Sequence, residues 1–193
     1  FDELLKIFAK HSLDLLTVHG RTVKDMYRSA VQYDFIARAV EAVPCPVLAN
    51  GNVYSASHAE HVLALTGARG WMIGRGAIRN PWLFRQIRQR LAGEPVELPT
   101  GREVFGYLRD LFEATKQPAY EERGHVTHLK KYLNFVGVGI DPDGRFLHEM
   151  RRATIAADYF RICAEFLEHD DPMPLEPFDL RLDPRDVVGG AMR

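Results

Sequence analysis

The sequence predicts an α/β fold with a parallel sheet, followed by an all-helical region. Three observations carry that prediction. Three short apolar runs each end in polar residues, as buried parallel strands do. Each is followed by a segment of helical periodicity. Strand and helix alternate three times at steps of roughly 25 to 30 residues. That βαβαβα order suits parallel pairing through crossover helices.

The elements follow in order. The chain opens on FDELLKIFAKHSLDLL, without Met and already inside an amphipathic helix, an opening expected of the middle of a protein. DLLTVH, residues 14–19, is the first strand, and DFIARAVEAV, 34–43, the helix after it. PVLANGN, 46–52, is a second strand running into a glycine turn. SASHAEHVLALTG, 55–67, reads as a helix capped by Ser55 or Ser57, with Gly67 just beyond its end. GWMIGRG, 70–76, is the third strand. NPWLFRQIRQRLAG, 80–93, is the third crossover helix, with Asn80 as N-cap and Pro81 in its first turn. After Gly93 the character changes. EPVELPTG, 94–101, is a Pro-rich linker and a predicted domain boundary. Three helical stretches follow at 100–117, 124–137 and 154–169, the first with Thr100 and Glu103 in capping-box spacing. The segment 176–193 lacks periodicity and is expected to be a mobile tail. The expected domains are therefore 1–93, 94–175 and the tail.

Composition bounds the function. The 193 residues are 46% hydrophobic and 26% charged, a globular profile. Residues 1–74 balance seven basic against seven acidic side chains, 75–152 carry fourteen basic and ten acidic, and 153–193 four and nine. A basic middle before an acidic tail suits a polyanion held on one face, and a charged helical surface has the same composition. The two cysteines, Cys45 and Cys163, have neither CxxC nor metal-cluster spacing, so no metal site is expected. A reducing cytoplasm is the expected compartment. No apolar run reaches the roughly 18 residues of a membrane span.

The strand ends concentrate the polar groups. In α/β barrels chemistry gathers at the C-terminal ends of the strands, and the last two strands often seat a phosphate. Here the ends read His19-Gly20-Arg21-Thr22, Asn50-Gly51-Asn52 and Gly74-Arg75-Gly76. Glycines flanking an arginine where a strand becomes a helix form either an anion cradle or a tight ligand-free turn. Three such ends on consecutive strands favour a phosphate-bearing cofactor or substrate. Asn50 and Asn52 offer amide donors and acceptors, Gly51 a close backbone, and His19 a donor. Arg21 can pair with phosphate or stack on a base.

VHGRT, PVLANGNV and GARGWMIGRGAIRNPWLF, in this order and spacing, resemble the C-terminal half of a tRNA-dihydrouridine synthase. The likeness covers residues 1–92 well, and HLKKYLNFVG and EMRRA resemble that family's helical domain more loosely. The resemblance implies the C-terminal part of a TIM (β/α)8 barrel, with FMN at its mouth and NADPH as reductant, acting on a uridine of tRNA. It implies that His19 reaches the flavin, that Asn50, Gly51 and Asn52 line its phosphate side, and that Gly74 and Arg75 hold the phosphate. Arg21, Lys130, Lys131, Arg151 and Arg152 are the residues expected to meet tRNA. Lys130 and Lys131 sit on one helix, Arg151 and Arg152 close HEMRR, and Arg85, Arg88 and Arg90 follow the phosphate site.

The family's catalytic cysteine, a lysine and the opening flavin loop belong to the first half of the barrel and are not found in this sequence. Cys45 precedes the second strand, at the bottom of a barrel, and Cys163 lies on an apolar helix face. Both read as small buried hydrophobes. A closed barrel takes roughly 200 residues or more, whereas the α/β part here has about 92. The chain is therefore expected to be a fragment or part of a larger assembly, inactive alone, its N-terminal barrel half supplied in cis or in trans. The alternatives are another FMN-dependent barrel oxidoreductase acting on a small molecule, or an inactive half-barrel that binds RNA.

Overall fold

The computed structural model describes residues 1–24 and 30–178. Its elements are α1 (Asp2–Phe8), β1 (Leu16–His19), α2 (Tyr33–Ala42), β2 (Val47–Asn50), α3 (Ala56–Thr66) and β3 (Gly70–Met72). They continue as α4 (Arg75–Arg79), α5 (Leu83–Leu91), α6 (Gly101–Ala114), α7 (Glu122–Val136), α8 (Arg145–Met150) and α9 (Ala156–Leu167).

The predicted local signals operate. Ser55 caps α3, accepting from the His58 N–H at 3.2 Å, and Gly67 ends that helix at φ 66°, where a side chain would be strained. Thr100 and Glu103 form the reciprocal capping box of α6. The third strand and its helix differ from expectation. Sheet pairing stops at Met72, α4 opens at Arg75, and the longer helix starts only at Leu83. Pro81 explains the break, since it disfavours helical backbone at the residue before it. Asn80 accepts instead from the Trp82 N–H at 3.1 Å, making an Asx turn between two helices. Helix α8 and the 3-10 turn Gly137–Gly139 are too short to show a periodic signal in the sequence.

The described residues form two compact units. One comprises 1–74 and 87–94, and the other 75–86 and 95–178. The split does not fall at the Pro-rich linker, because 75–86 groups with the helices. The Tyr107 hydroxyl donates to the Ile78 carbonyl at 2.7 Å, and its ring meets Trp82 edge-on at 6.0 Å. Nor is the chain free from 176 onward: Leu175 is buried and the Phe178 N–H donates to Val138 O at 3.0 Å. Residues 179–193 of the expected tail lie outside the described residues.

In the first unit the sheet has order β1-β2-β3, all parallel. Its register pairs Val18, Ala49 and Trp71 on one face, and this face is buried. Helices α2 and α3 supply the cover through Ile36, Ala39 and Val62, and Trp71 donates its indole N–H to Ala59 O at 2.8 Å. The opposite face carries Thr17, Leu48 and Gly70, then His19, Asn50 and Met72. Thr17, His19 and Met72 are exposed there. In the second unit, α6, α7, α8 and α9 enclose a core built on Leu108, Leu129, Leu133, Phe146, Tyr159 and Leu167, each at most 1% exposed.

Candidate functional site

A parallel register decides which strand ends stand side by side. His19 pairs with Asn50, and Asn50 with Met72, so three side chains form one row at the C-terminal edge of the open face. The Asn50 amide donates to Met72 O at 2.6 Å and to the Met72 sulfur at 3.2 Å. Both of its donors thus tie β2 to β3, and the atom it can still offer a ligand is an acceptor oxygen.

Two residues further on, the Arg21 Nη1 donates to Asn52 Oδ1 at 3.2 Å, and the Tyr33 hydroxyl donates to Asn52 O at 3.3 Å. Asn52 therefore fixes the loops after β1 and β2 against each other and holds the Arg21 guanidinium at the same end of the sheet. Tyr54 stacks on His58 at 5.3 Å, and Tyr33 meets His58 edge-on at 6.4 Å. Sequence reasoning misses this aromatic group, because Tyr33 lies just before the helix read at 34–43 and nothing local links it to His58.

The glycines separate into two kinds. A Cβ at Gly51 would lie 2.8 Å from Val31 Cγ1, and one at Gly20 would lie 2.6 Å from the same atom. Close packing on Val31 accounts for both. Gly74 is different: a Cβ there meets nothing within 4 Å, and Gly74 has no positive φ. Neither packing nor backbone conformation requires glycine at 74, and space is open above it. Arg75 is the first residue of α4 in the second unit.

A family model described as Dihydrouridine synthase (Dus) matches residues 3–153. The chain belongs to the dihydrouridine synthase family. It is 38% identical over 145 residues to tRNA-dihydrouridine synthase B of Pasteurella multocida, covering 75% of this chain and 43% of that protein. It is 33% identical over 144 residues to a probable tRNA-dihydrouridine synthase of Rickettsia conorii, covering 74% and 43%. A tRNA-dihydrouridine(16) synthase of Neisseria meningitidis is 31% identical over 155 residues, 80% of this chain and 46% of that one. The chain thus spans less than half the length of these relatives.

The helical unit carries Lys130, Lys131, Arg151 and Arg152. The Lys130 ammonium donates to Arg151 O at 3.0 Å, at the C-terminal end of α8, where a cation is favoured. Lys130 lies below the ordinary lysine range, first through burial and then through the Arg123 guanidinium. Arg123 and Lys130 are seven residues apart on α7, two turns along one stripe. Arg123 is the basic residue that sequence reasoning misses, and that spacing is the signal for it. Among the described residues, no carboxylate lies within ion-pair distance of Arg123, Lys130, Lys131, Arg151 or Arg152. Two of the three arginines of α5 differ from them, Arg85 pairing with Glu97 at 3.7 Å and Arg90 with Glu60 at 2.6 Å, whereas Arg88 is exposed and has no ion pair among the described residues. The basic surface therefore lies on α7 and the end of α8, with the charges of Arg85 and Arg90 locally balanced.

Cys163 is fully buried, and burial pushes its thiol up to about 12, so it stays protonated and unreactive. Cys45 is half-buried between Pro44 and Pro46, before β2 and hence at the opposite end of that strand from Asn50. Among the described residues no three His, Cys, Asp or Glu side chains form a metal-holding group, and no helix is long and apolar enough to cross a membrane.

Proposed function

We propose that this chain supplies the C-terminal part of an FMN-binding (β/α)8 barrel and a tRNA-holding helical region, in a cytoplasmic tRNA-dihydrouridine synthase that uses NADPH as reductant. The observation that carries the reading is the row His19, Asn50, Met72 on a sheet face where, among the described residues, Thr17, His19 and Met72 are exposed. Parallel sheets ordinarily bury both faces. A barrel does so by turning the second face inward, with its ligand at the C-terminal mouth.

The residues fit a flavin nucleotide. The open space at Gly74 lets a ligand approach the backbone. His19 and the acceptor oxygen of Asn50 suit the polar edge of a heteroaromatic ring, while both Asn50 donors remain on Met72. A phosphate is therefore better served by backbone N–H at Gly74 and by Arg75 than by Asn50. Gly51 and Asn52 contribute by shaping the loop that carries Asn50. Bound FMN would supply the hydride for reduction of the uridine ring. Arg21, held by Asn52, is a cation at the same strand ends that can meet the RNA. Lys130, Lys131, Arg151 and Arg152 offer the phosphates a surface without competing carboxylates.

The reading predicts that the 193-residue chain, given FMN, NADPH and unmodified tRNA, makes no dihydrouridine detectable by mass spectrometry. Adding the preceding barrel segment of a relative should restore flavin uptake and turnover together. Turnover by the chain alone would place the proton donor within it and overturn the partial-barrel reading. Salt-dependent tRNA binding without flavin uptake, after that addition, would favour RNA binding without chemistry.

A further inference from the structure

The helical unit holds a cavity that no step above uses. It has a volume of about 540 Å³, within the range of small-ligand sites, and is lined by Phe112, Lys116, Pro118, Tyr120, Glu122 and His125 among others. Its aromatic lining is fixed from below. The His125 ring lies 4.4 Å from that of Phe112, and its Nε2 is 3.0 Å from Thr115 Oγ1. The Thr115 hydroxyl donates to Leu111 O at 2.8 Å, which leaves its oxygen to accept from His125 Nε2–H. Tyr120 is the most open ring of the lining: it is 40% exposed, and it lies 5.5 Å from the ring of His128. Glu122 keeps its charge at the exposed rim, and its Oε1 is engaged by the Ala156 N–H at 2.8 Å at the start of α9. Lys116 is paired with Glu113 and lies 5.3 Å from the centre of the Phe112 ring.

The next residue after Glu122 is Arg123, the first of the stripe that continues to Lys130. Tyr120, Glu122 and His125 of the lining flank Arg123 in the chain, so the aromatic-lined cavity and the first cation of the stripe share the start of α7. Such a pairing is the chemistry of single-stranded nucleic acid: rings take a base while cations follow the backbone. A peptide without acidic side chains would find the rings but no use for the uncompensated charge.

We propose that this cavity takes one unpaired nucleobase of the bound RNA, with Tyr120 as its stacking residue and Arg123 and Lys130 on the flanking phosphates. The proposal rests on the reading of tRNA as partner and adds a second point of base recognition, in the helical unit.

The test uses the full 193-residue chain and a short single-stranded RNA, compared with the same oligomer made abasic. Fluorescence anisotropy should show the intact RNA bound roughly 5- to 150-fold more tightly, the range of one base stack. Tyr120→Ala should remove that preference without altering the salt dependence, and Tyr120→Phe should retain it. Arg123→Ala should keep the preference while lowering the log–log salt slope by roughly 0.7. Equal, salt-dependent binding of intact and abasic RNA by the wild type would overturn the base pocket and leave the tRNA reading standing. No binding of either oligomer or of tRNA at any salt concentration would overturn both. The wild-type comparison decides the matter even if a variant fails to fold.

Discussion

The two units treat their polar side chains in opposite ways. In the sheet unit they are tied to one another: Asn50 to Met72, Arg21 to Asn52, and Tyr33 to the Asn52 carbonyl. In the helical unit Arg123, Lys131, Arg151 and Arg152 stand without carboxylates among the described residues, and Lys130 is anchored on a carbonyl. Fixed polar groups at strand ends select a small ligand by geometry. Uncompensated cations on a helix surface select a polyanion by charge, largely irrespective of its sequence. The cores differ in the same sense. The helical unit closes its core on itself, whereas the sheet unit covers one face of its sheet and exposes Thr17, His19 and Met72 on the other.

The largest effect expected from that contrast is on stability. Leu129→Ala, in the closed helical core, should cost about 2–5 kcal/mol in denaturant unfolding. Met72→Ala, on the open sheet face, gives up the Asn50 N–H to sulfur contact and should cost only about 0.5–1.5 kcal/mol. A comparable loss at Met72 would mean that this face is already packed.

Ligand binding comes next. In a preparation that takes up flavin, Arg75→Ala should weaken FMN by about 1.5–3 kcal/mol, the worth of a charge-assisted hydrogen bond. Gly74→Ala has room for its methyl group in the ligand-free protein, so it should leave the melting temperature unchanged while lowering FMN affinity. Unchanged affinity in both variants, by titration of the flavin spectrum, would move the phosphate elsewhere.

Alkaline pH tests the helical core alone. The Cys163 thiol keeps its proton in the fold up to about 12, against 9.0 in its unperturbed state. Above pH 9.0 the unfolded chain therefore binds fewer protons than the folded one, and stability falls as pH rises towards 12. The slope is about 1.4 kcal/mol per pH unit for each such group. Burial raises Tyr159 and Tyr107 as well, which steepens the fall. Unfolding curves at neutral pH and near pH 11 should show Cys163→Ala losing less than the wild type. Thiol labelling of the folded protein should reach Cys45 and spare Cys163.

The smallest effect, and the sharpest on charge, is a change of slope. Lys130→Ala with Lys131→Ala should lower the log–log salt slope of tRNA binding by roughly 0.7 to 0.9 for each phosphate that these lysines neutralise. An Arg85→Ala control should change it less, because Arg85 already has Glu97. Equal changes would erase the distinction between the two groups of cations.

The sequence by itself determined whatever depends on neighbours in the chain. Ser55 with His58, Thr100 with Glu103, and Gly67 at a helix end are bonds or backbone conformations spanning a few residues. The alternation of apolar runs was enough to order the strands and helices of the sheet unit, and the polar strand ends marked the candidate site. Tertiary structure alone decided which atoms those residues still offer. Asn50 carries its donors to Met72 across 22 positions, and that leaves an acceptor where sequence suggests a phosphate donor. Gly51 is glycine because Val31 returns against it, whereas Gly74 has open space above it. Arg123 joins Lys130 only once α7 is a continuous helix, and Arg151 reaches them through a carbonyl 21 positions away. The physical reason is the same each time. Caps and periodicity are set by local backbone geometry, whereas register, close packing and charge balance depend on segments that the chain brings together only by folding.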